Sequence, residues 1–328
     1  MNKINVLVTG AGSLVGQGIL RLLRLSNLQL KVITADPDSK APGHLLGDKS
    51  YIVPLAKDPS FNDTIVEIIK QENINIIFIG TDVELTYFAQ NKQMLENLGP
   101  KVIVCSEDTV KIADNKFLTM QFLKDNGFEY PESALSSNEE ECDKLLQKVG
   151  FPLFCKPVQG ARSVGAKIIN NHDDYNQAKK DKSLIFQELL TGDEYTAGCV
   201  GMNGNIGGVV VLKRDLKDGN TVKAYHDGTD KFQQEIKEIA EKLDICGSCN
   251  FQFKIKNGKP AIFEINARCS GTTPIRHLFG FNEIEAIINN IFTNKPLSQP
   301  KLKSGMVLRT FSDVFVNDDL VFEMPFLL

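Results

Sequence analysis

The chain of 328 residues has no basic excess: 37 Lys and Arg stand against 41 Asp and Glu, a formal net charge of −4. A nucleic-acid protein is usually basic, so no nucleic-acid partner is expected. No apolar run approaches the length of a membrane span, and residues 1–5 lead straight into a strand without a signal-peptide pattern. A cytoplasmic protein with no membrane partner is expected. The four histidines lie far apart and carry no metal-ligand spacing. Seven cysteines is an odd number, and they are scattered through apolar segments, which fits reduced, mostly buried thiols. Cys246 and Cys249 form a C-x-x-C with no second such pair, so both read as structural. The sequence shows no Ser/His/Asp or Cys/His nucleophile constellation, no internal repeat and no low-complexity stretch. Its length suits two or three domains.

Residues 4–9 (INVLVT) have the pattern of a buried strand. Gly10, Gly12 and Gly16 follow, within a turn that enters a helix carrying Leu14, Ile19, Leu22 and Leu23 at helical spacing. The next strand, 31–35, ends at Asp36. These features imitate a dinucleotide fingerprint, and they equally suit a plain tight turn. An amphipathic helix over 61–73 and a strand over 74–79 come next. Asp82 and Glu84 follow that strand's carboxyl end, where open α/β sheets bind ligands. They either meet a cationic group on a substrate or face a helix dipole. A strand at 102–105 closes the sheet, so residues 1–108 read as a doubly wound α/β domain.

Asp114 can cap a helix that stops at Gly127. Lys116 lies in its first turn, where a cation gains nothing from the dipole; this points to an anionic partner. Ser136 and Glu139 read as a capping box for a helix reaching Val149. The apolar strand 152–157 ends in Lys156, which needs an anion or a route to water. The loop Gln159–Gly165, with Arg162 and Ser163 as extra donors, can lay its N–H groups over phosphates, though an unliganded hairpin would look the same. Strands follow at 183–190, 196–200 and 207–213, then a charged loop or strand at 214–225 and a helix at 231–243. Residues 271–280 read as irregular, 283–292 as a helix and 306–311 as a terminal strand.

The remaining stretch, residues 250–271 (NFQFKIKNGKPAIFEINARCSG), reads as two strands and a tight connection. Phe251, Phe253 and Ile255 share one face of the first strand, with Asn250, Gln252 and Lys254 on the other. In the second strand Phe263, Ile265 and Ala267 form the apolar face, opposite Glu264, Asn266 and Arg268. A two-residue turn at Asn257-Gly258 would put Gln252 and Glu264 on opposite faces. A three-residue loop, 256–258, brings Gln252, Glu264 and Asn266 together, and that loop is the expectation. Three oxygen-bearing side chains suit a magnesium ion shared with phosphates; they also suit the plain polar face of a hairpin.

The lysine-ended strand, the glycine loop, Glu188 followed by Glu194, and the hairpin with Gln252 and Glu264-x-Asn266-x-Arg268 occur in one order. That order resembles the ATP-grasp superfamily, specifically members similar to the large subunit of carbamoyl-phosphate synthase, over about residues 1–300. The resemblance implies an N-terminal pre-ATP-grasp domain (1–108), a small ATP-grasp lobe with a linker helix (109–182) and a large lobe with the C-terminal strand (183–328). It implies that Lys116, Lys156 and Ser163 contact ATP phosphates. Glu188, Leu189 and Leu190 would read the adenine edge and Glu194 the ribose. Gln252, Glu264 and Asn266 would hold Mg²⁺, with Mn²⁺ able to substitute. Arg268, Arg214 and Lys156 would serve the phosphoryl transfer. Ala267 stands where the family often has Pro, and Ser270-Gly271-Thr272 stand where further basic residues are common. With no glutaminase part either, carbamoyl phosphate synthesis by this chain alone is not expected.

The implied activity is an ATP-dependent ligase that converts a small carboxylate, such as an amino acid, to an acyl phosphate for attack by an amine. A homodimer is compatible with this reading. Two rivals stand beside it: an NAD(P)-binding oxidoreductase using Gly10–Gly16 and Asp36, and a non-catalytic ATP-binding subunit of a carbamoyl-phosphate-synthase-like assembly.

Overall fold

The computed structural model describes residues 3–160, 164–229, 231–310 and 312–316. Arg162 and Ser163, and Phe311 of the expected terminal strand, lie outside the described residues. The N-terminal domain is a parallel sheet of β1 (Ile4–Thr9), β2 (Leu30–Asp36), β3 (Lys49–Ile52), β4 (Ile76–Ile79) and β5 (Lys101–Ile103). Its order is β3-β2-β1-β4-β5, so the direction of winding reverses beside β1. The strands are apolar on both sides because helices cover both faces. These are α1 (Leu14–Arg24), α2 (Phe61–Glu72) and α3 (Asp82–Glu96).

A helical bridge follows, α4 (Glu107–Asp114) and α5 (Lys116–Asp125). Asp114 ends α4, and it is Asn115 that caps α5, accepting from the amides of Phe117 at 3.0 Å and Leu118 at 3.2 Å. The small lobe is a four-stranded antiparallel sheet of β6 (Ser133–Leu135), β7 (Leu153–Pro157), β8 (Lys167–Ile169) and β9 (Leu184–Glu188), in the order β6-β9-β7-β8. Helices α6 (Glu139–Val149) and α7 (His172–Ala178) cover it, and it has its own apolar core around Leu153, Phe186 and Tyr175. The cap of α6 is Asn138. Ser136 instead ties the lobe together, its hydroxyl donating to the carbonyls of Asp181 and Leu184. Since β9 pairs with β6 and β7, the small lobe extends past residue 182 to Glu188.

The large lobe is an antiparallel sheet of β10 (Glu194–Met202), β11 (Asn205–Lys217), β12 (Asn220–His226), β13 (Gly247–Lys256), β14 (Lys259–Asn266) and β15 (Gly305–Leu308), in the order β14-β13-β10-β11-β12-β15. The charged stretch 214–225 is thus a hairpin, turned at Asp218 and Gly219 with φ of +50° and +72°. Helices α8 (Gln233–Lys242), α9 (Thr273–Phe279) and α10 (Glu283–Thr293) complete the lobe. Residues 273–279 are therefore helical and not irregular; seven residues are too few to show a period. One continuous core joins this lobe to the N-terminal domain, with Ile77, Phe88 and Val102 packed in the same cluster as Phe251, Phe253 and Ile265. α4 and α5 pack on β14, and the end of β14 lies beside the start of α3, where the cleft opens.

Candidate active site

The hairpin β13–β14 positions the site, and its turn differs from expectation. Lys256 pairs with Lys259, so the connection is the two-residue turn Asn257-Gly258, with φ of +53° and +79° as a type I′ turn requires. That register would place Gln252 and Glu264 on opposite faces. A β-bulge corrects it: Phe253 pairs with Ile262, the next pair is Gln252 with Glu264, and Phe263 is the extra residue. The three oxygen-bearing side chains therefore converge through a bulge and not through a longer loop. The bulge also moves Phe263 off the apolar face into the cleft wall, beside Glu264. Ile262 takes its place in the core, fully buried.

On the polar face the side chains form one chain of hydrogen bonds. Gln252 Nε2 donates to Glu264 Oε1 at 3.1 Å and Asn266 Nδ2 donates to the same oxygen at 3.2 Å. Arg214 Nη2 donates to Gln252 Oε1 at 2.6 Å and to Glu194 Oε1 at 2.7 Å. Arg268 Nη2 donates to Asn266 Oδ1 at 3.1 Å. Arg268 also forks onto Asp82, with Nε to Oδ1 at 2.5 Å and Nη2 to Oδ2 at 2.6 Å. Asp82 opens α3, so the N-terminal domain reaches the hairpin through a bidentate ion pair. Glu84, by contrast, is buried beneath the sheet's end and accepts from Thr9 Oγ1 at 2.5 Å; burial pushes its carboxyl up to about 7.

Two lysines face this network from the other side of the cleft. Lys116 and Lys156 are each only 7% exposed, and neither makes an ion pair among the described residues. Lys116 Nζ donates to the Gly160 carbonyl at 2.8 Å, and Lys156 Nζ to the Phe263 carbonyl at 3.2 Å. Burial lowers both ammonium pKa values, Lys156 to about 8, although Glu264 pulls both upward. Two buried ammonium groups satisfied by carbonyls alone mark a place for an anion. Lys156 also lies over the rings of Phe154 at 5.7 Å and Phe263 at 5.5 Å.

Beyond Lys156 the cleft continues as an open recess walled by Phe154, Phe263, Leu189 and Leu190. The Leu190 carbonyl accepts from Lys254 Nζ at 3.2 Å. The Glu188 carboxylate is turned onto Lys256 Nζ at 2.7 Å and the Glu132 amide at 3.1 Å, so its side chain is already committed there. Glu194 lies at the recess's inner edge on Arg214. On the other side, a second chamber runs from Gln252 and Glu264 to the start of α1. A central space beside Gln159 and Gly160 shares Phe263 and Lys156 with the first and Gln252 and Glu264 with the second, so the three line one cleft. Phe154, Phe263 and Lys254 were not singled out from the sequence; only the bulge places Phe263 here, and no periodicity reveals it.

A buried polar network holds the turn after β14. Arg276 and Glu283 are both fully buried and paired, Nε to Oε2 at 2.7 Å and Nη2 to Oε1 at 2.9 Å. Arg276 also donates to Thr272 and Thr273, each at 2.8 Å. A Cβ on Gly198 would lie 2.3 Å from the Arg276 Cζ, so only glycine fits beneath the guanidinium.

The glycine turn at Gly10–Gly16 is closed on itself. The Gly12 amide donates to Asp36 Oδ2 at 2.7 Å, and a Cβ on Gly16 would lie 2.2 Å from the Gly10 carbonyl. Asp36 is thus bonded to the turn that would have to cradle a pyrophosphate.

The hairpin suits a magnesium ion. Among the described residues no three His, Cys, Asp or Glu side chains cluster as metal ligands. One carboxylate with two amides fits a cation that takes most of its ligands from phosphates and water.

Residues 113–272 match the family described as ATP-grasp domain, and residues 6–103 match the PylC-like N-terminal domain. The chain thus carries an ATP-grasp domain over residues 113–272 behind a PylC-like N-terminal domain over residues 6–103. Solved structures share this fold at low identity. The N5-carboxyaminoimidazole synthetase from Staphylococcus aureus complexed with ADP is 15% identical, with 93% of this chain and 80% of that one covered and a TM-score of 0.72. The biotin carboxylase domain of the Hydrogenobacter thermophilus 2-oxoglutarate carboxylase, described as a dimer in complex with MgADP, is 16% identical over 92% and 73%, with a TM-score of 0.70. The L-amino acid ligase from Bacillus licheniformis is 18% identical over 88% and 73%, with a TM-score of 0.66.

Proposed function

We propose that the protein is an ATP-dependent carboxylate–amine ligase. The observation that carries this reading is the meeting of two carboxylate-free buried lysines with the Gln252–Glu264–Asn266 face across one open cleft. The adenine enters the recess between Phe154 and Phe263, its edge against the backbone of Leu189 and Leu190. Glu194 takes the ribose. Glu188 acts through Lys256 to hold the strand, in place of direct contact with the base. Lys116 and Lys156 take the phosphates beside Gln159 and Gly160; Ser163, expected to join them, lies outside the described residues.

A carboxylate is a poor electrophile. When its oxygen attacks the γ-phosphorus the bond to ADP breaks, and the acyl phosphate formed carries a good leaving group. An amine then attacks the carbonyl carbon, phosphate leaves, and the amine proton passes to solvent. Gln252, Glu264 and Asn266 would hold Mg²⁺, which supplies charge neutralisation on the phosphates; whether Mn²⁺ serves is read by substitution in the same assay. Lys156 and Arg268 stabilise charge on the transferring group, and Arg214 holds Gln252 in place. Arg268 leaves Asp82 only when a competing anion arrives, so substrate entry and the catalytic guanidinium are linked. Water must be excluded from the acyl phosphate, which is the role of the glycine loop.

The test is ADP release with Mg²⁺–ATP across a panel of carboxylates and amines. Stimulated release supports the ligase; tight nucleotide binding with no stimulation supports the non-catalytic subunit. The nicotinamide reading is disfavoured by the Asp36–Gly12 bond. No helix among the described residues is long and apolar enough to cross a membrane, and all seven cysteines are free, which supports a reducing compartment such as the cytoplasm. A homodimer, as the Hydrogenobacter domain is described, is checked by light scattering.

A further inference from the structure

Away from the cleft, two thiols from different domains lie against each other, and neither takes part in the ligase chemistry. Of the seven cysteines six are buried, and Cys246 alone is part exposed. Cys246 immediately precedes β13 in the large lobe. Cys105 is fully buried and follows β5 of the N-terminal domain. The Cys246 amide donates to Cys105 Sγ at 3.2 Å, and the Cys105 thiol donates to the Cys246 carbonyl at 3.3 Å. With an N–Cα bond of about 1.46 Å, the Cys105 sulfur is then at most about 4.7 Å from the Cys246 Cα. That is within bridging reach by side-chain rotation and a small backbone adjustment.

Lys92 of α3 supplies a charge. Its Nζ donates to the Val104 carbonyl at 2.9 Å and to Cys246 Sγ at 3.5 Å, and it makes no ion pair among the described residues. An ammonium beside a part-exposed thiol favours the thiolate, which is the form that reacts with oxidants. Cys105 is the opposite case. Burial pushes its thiol up to about 12; Asp244 adds to this, and Lys92 offsets part of it. One thiol thus lies outward beside a cation, and the other inward. The joint around them is tight. A Cβ on Gly247 would lie 2.4 Å from Ile103 Cγ2, and Thr109 Oγ1 donates to the Leu243 carbonyl at 2.8 Å. Cys249 is fully buried opposite Cys199 of β10, so the C-x-x-C motif is not itself the pair.

We propose that Cys246 and Cys105 form a redox site: a peroxide oxidises Cys246, and Cys105 then closes a disulfide between the large lobe and the N-terminal domain. The Cys246 thiolate attacks one peroxide oxygen, the O–O bond breaks, and a sulfenic acid and hydroxide form. The Cys105 sulfur then displaces the sulfenic hydroxyl, which leaves as water with the Cys105 proton. Two electrons pass from the thiols to the peroxide, and an external dithiol returns them by exchange. Reversible bridges of this kind are the ones found in reducing compartments. The new bond ties the end of β5 to the start of β13, the strand that carries Gln252, so oxidation stiffens the joint on which the hairpin rests.

The test uses the full-length protein, reduced and then treated with hydrogen peroxide at pH 7. Digestion without reductant, followed by mass spectrometry, should find the Cys105 and Cys246 peptides of wild type joined, and dithiothreitol should separate them. Cys105→Ser should instead carry a sulfenic acid on Cys246, trapped by dimedone, and Cys246→Ser should show neither product. Lys92→Met should slow alkylation of Cys246 by iodoacetamide about 10-fold. The thermal midpoint of oxidised wild type should stand about 5 °C above the reduced form, because the bond closes a long loop. The proposal is overturned if peroxide leaves Cys246 a free thiol, if oxidised Cys246 is never joined to Cys105, or if it is joined to another cysteine. Alkylation of Lys92→Met at the wild-type rate overturns the part given to Lys92. None of these readouts involves nucleotide, so failure of the ligase reading is separate.

Discussion

Replacing Lys156 by methionine should make the empty protein more stable and the nucleotide complex weaker. The ammonium is 7% exposed, rests on the Phe263 carbonyl and lies over two phenyl rings. Burial drops its pKa from 10.5 to about 8. At about 1.4 kcal/mol per pH unit, holding the charge in the empty cleft costs about 3 kcal/mol at neutral pH, as an upper bound. Methionine has similar length and packs against the same rings, so its thermal midpoint at pH 7 should rise on the order of 5 °C. The sign with pH follows from the lowered folded value. Wild type gains stability as pH rises from about 8 towards 10.5, because the unfolded chain then holds the proton more tightly. The gap between the two proteins should therefore close over that window. In the same variant, loss of one charge-assisted bond to phosphate should weaken Mg²⁺–ATP about 10- to 100-fold by calorimetry. A variant that is less stable at pH 7, with a gap that does not depend on pH, would refute the reasoning.

Other outcomes follow from the same geometry. Glu264→Gln should keep the thermal midpoint within about 2 °C while reducing Mg²⁺-dependent ADP release at least about a hundredfold, because the hairpin face loses its single carboxylate. Arg276→Met leaves Glu283 buried and unpaired and should cost about 3–5 kcal/mol, read as a lower denaturant midpoint. Glu72, despite its burial, is held near a pKa of about 2 by Lys31, Lys49 and Tyr51. Its contribution is fully present above pH 4.5 and is lost as pH falls towards 2. Discounted for the half-exposed Lys49, it is about 2 kcal/mol, and acid titration of Glu72→Gln should lack that step. Phe263→Ala should weaken nucleotide binding, read by calorimetry, because it removes one wall of the recess.

The layout of the chain was legible because its signals are local and repeated. Buried strands in the first hundred residues read as continuous apolar runs, and Lys116 and Lys156 stood out as cations where neither helix dipole nor apolar strand wants one. The oxygen-bearing face of the hairpin was legible for the wrong reason. A loop of odd length and a β-bulge both restore parity, and alternation alone does not say which; the choice decides whether Phe263 lies in the core or in the cleft. Caps were misassigned where a better side chain stood one or two residues away, as Asn115 beside Asp114 and Asn138 beside Ser136. The Asp82–Arg268 pair spans 186 positions, and no local pattern encodes such a contact. The contact of Cys105 with Cys246, 141 positions apart, was invisible for the same reason.

The central claim is tested most directly by a crystal structure with Mg²⁺ and AMP-PNP. The account predicts the base between Phe154 and Phe263, the phosphates against Lys116 and Lys156, and Glu264 among the residues that hold the metal. A nucleotide seated instead at Gly10–Gly16, or phosphates that leave both lysines on their carbonyls, would contradict it.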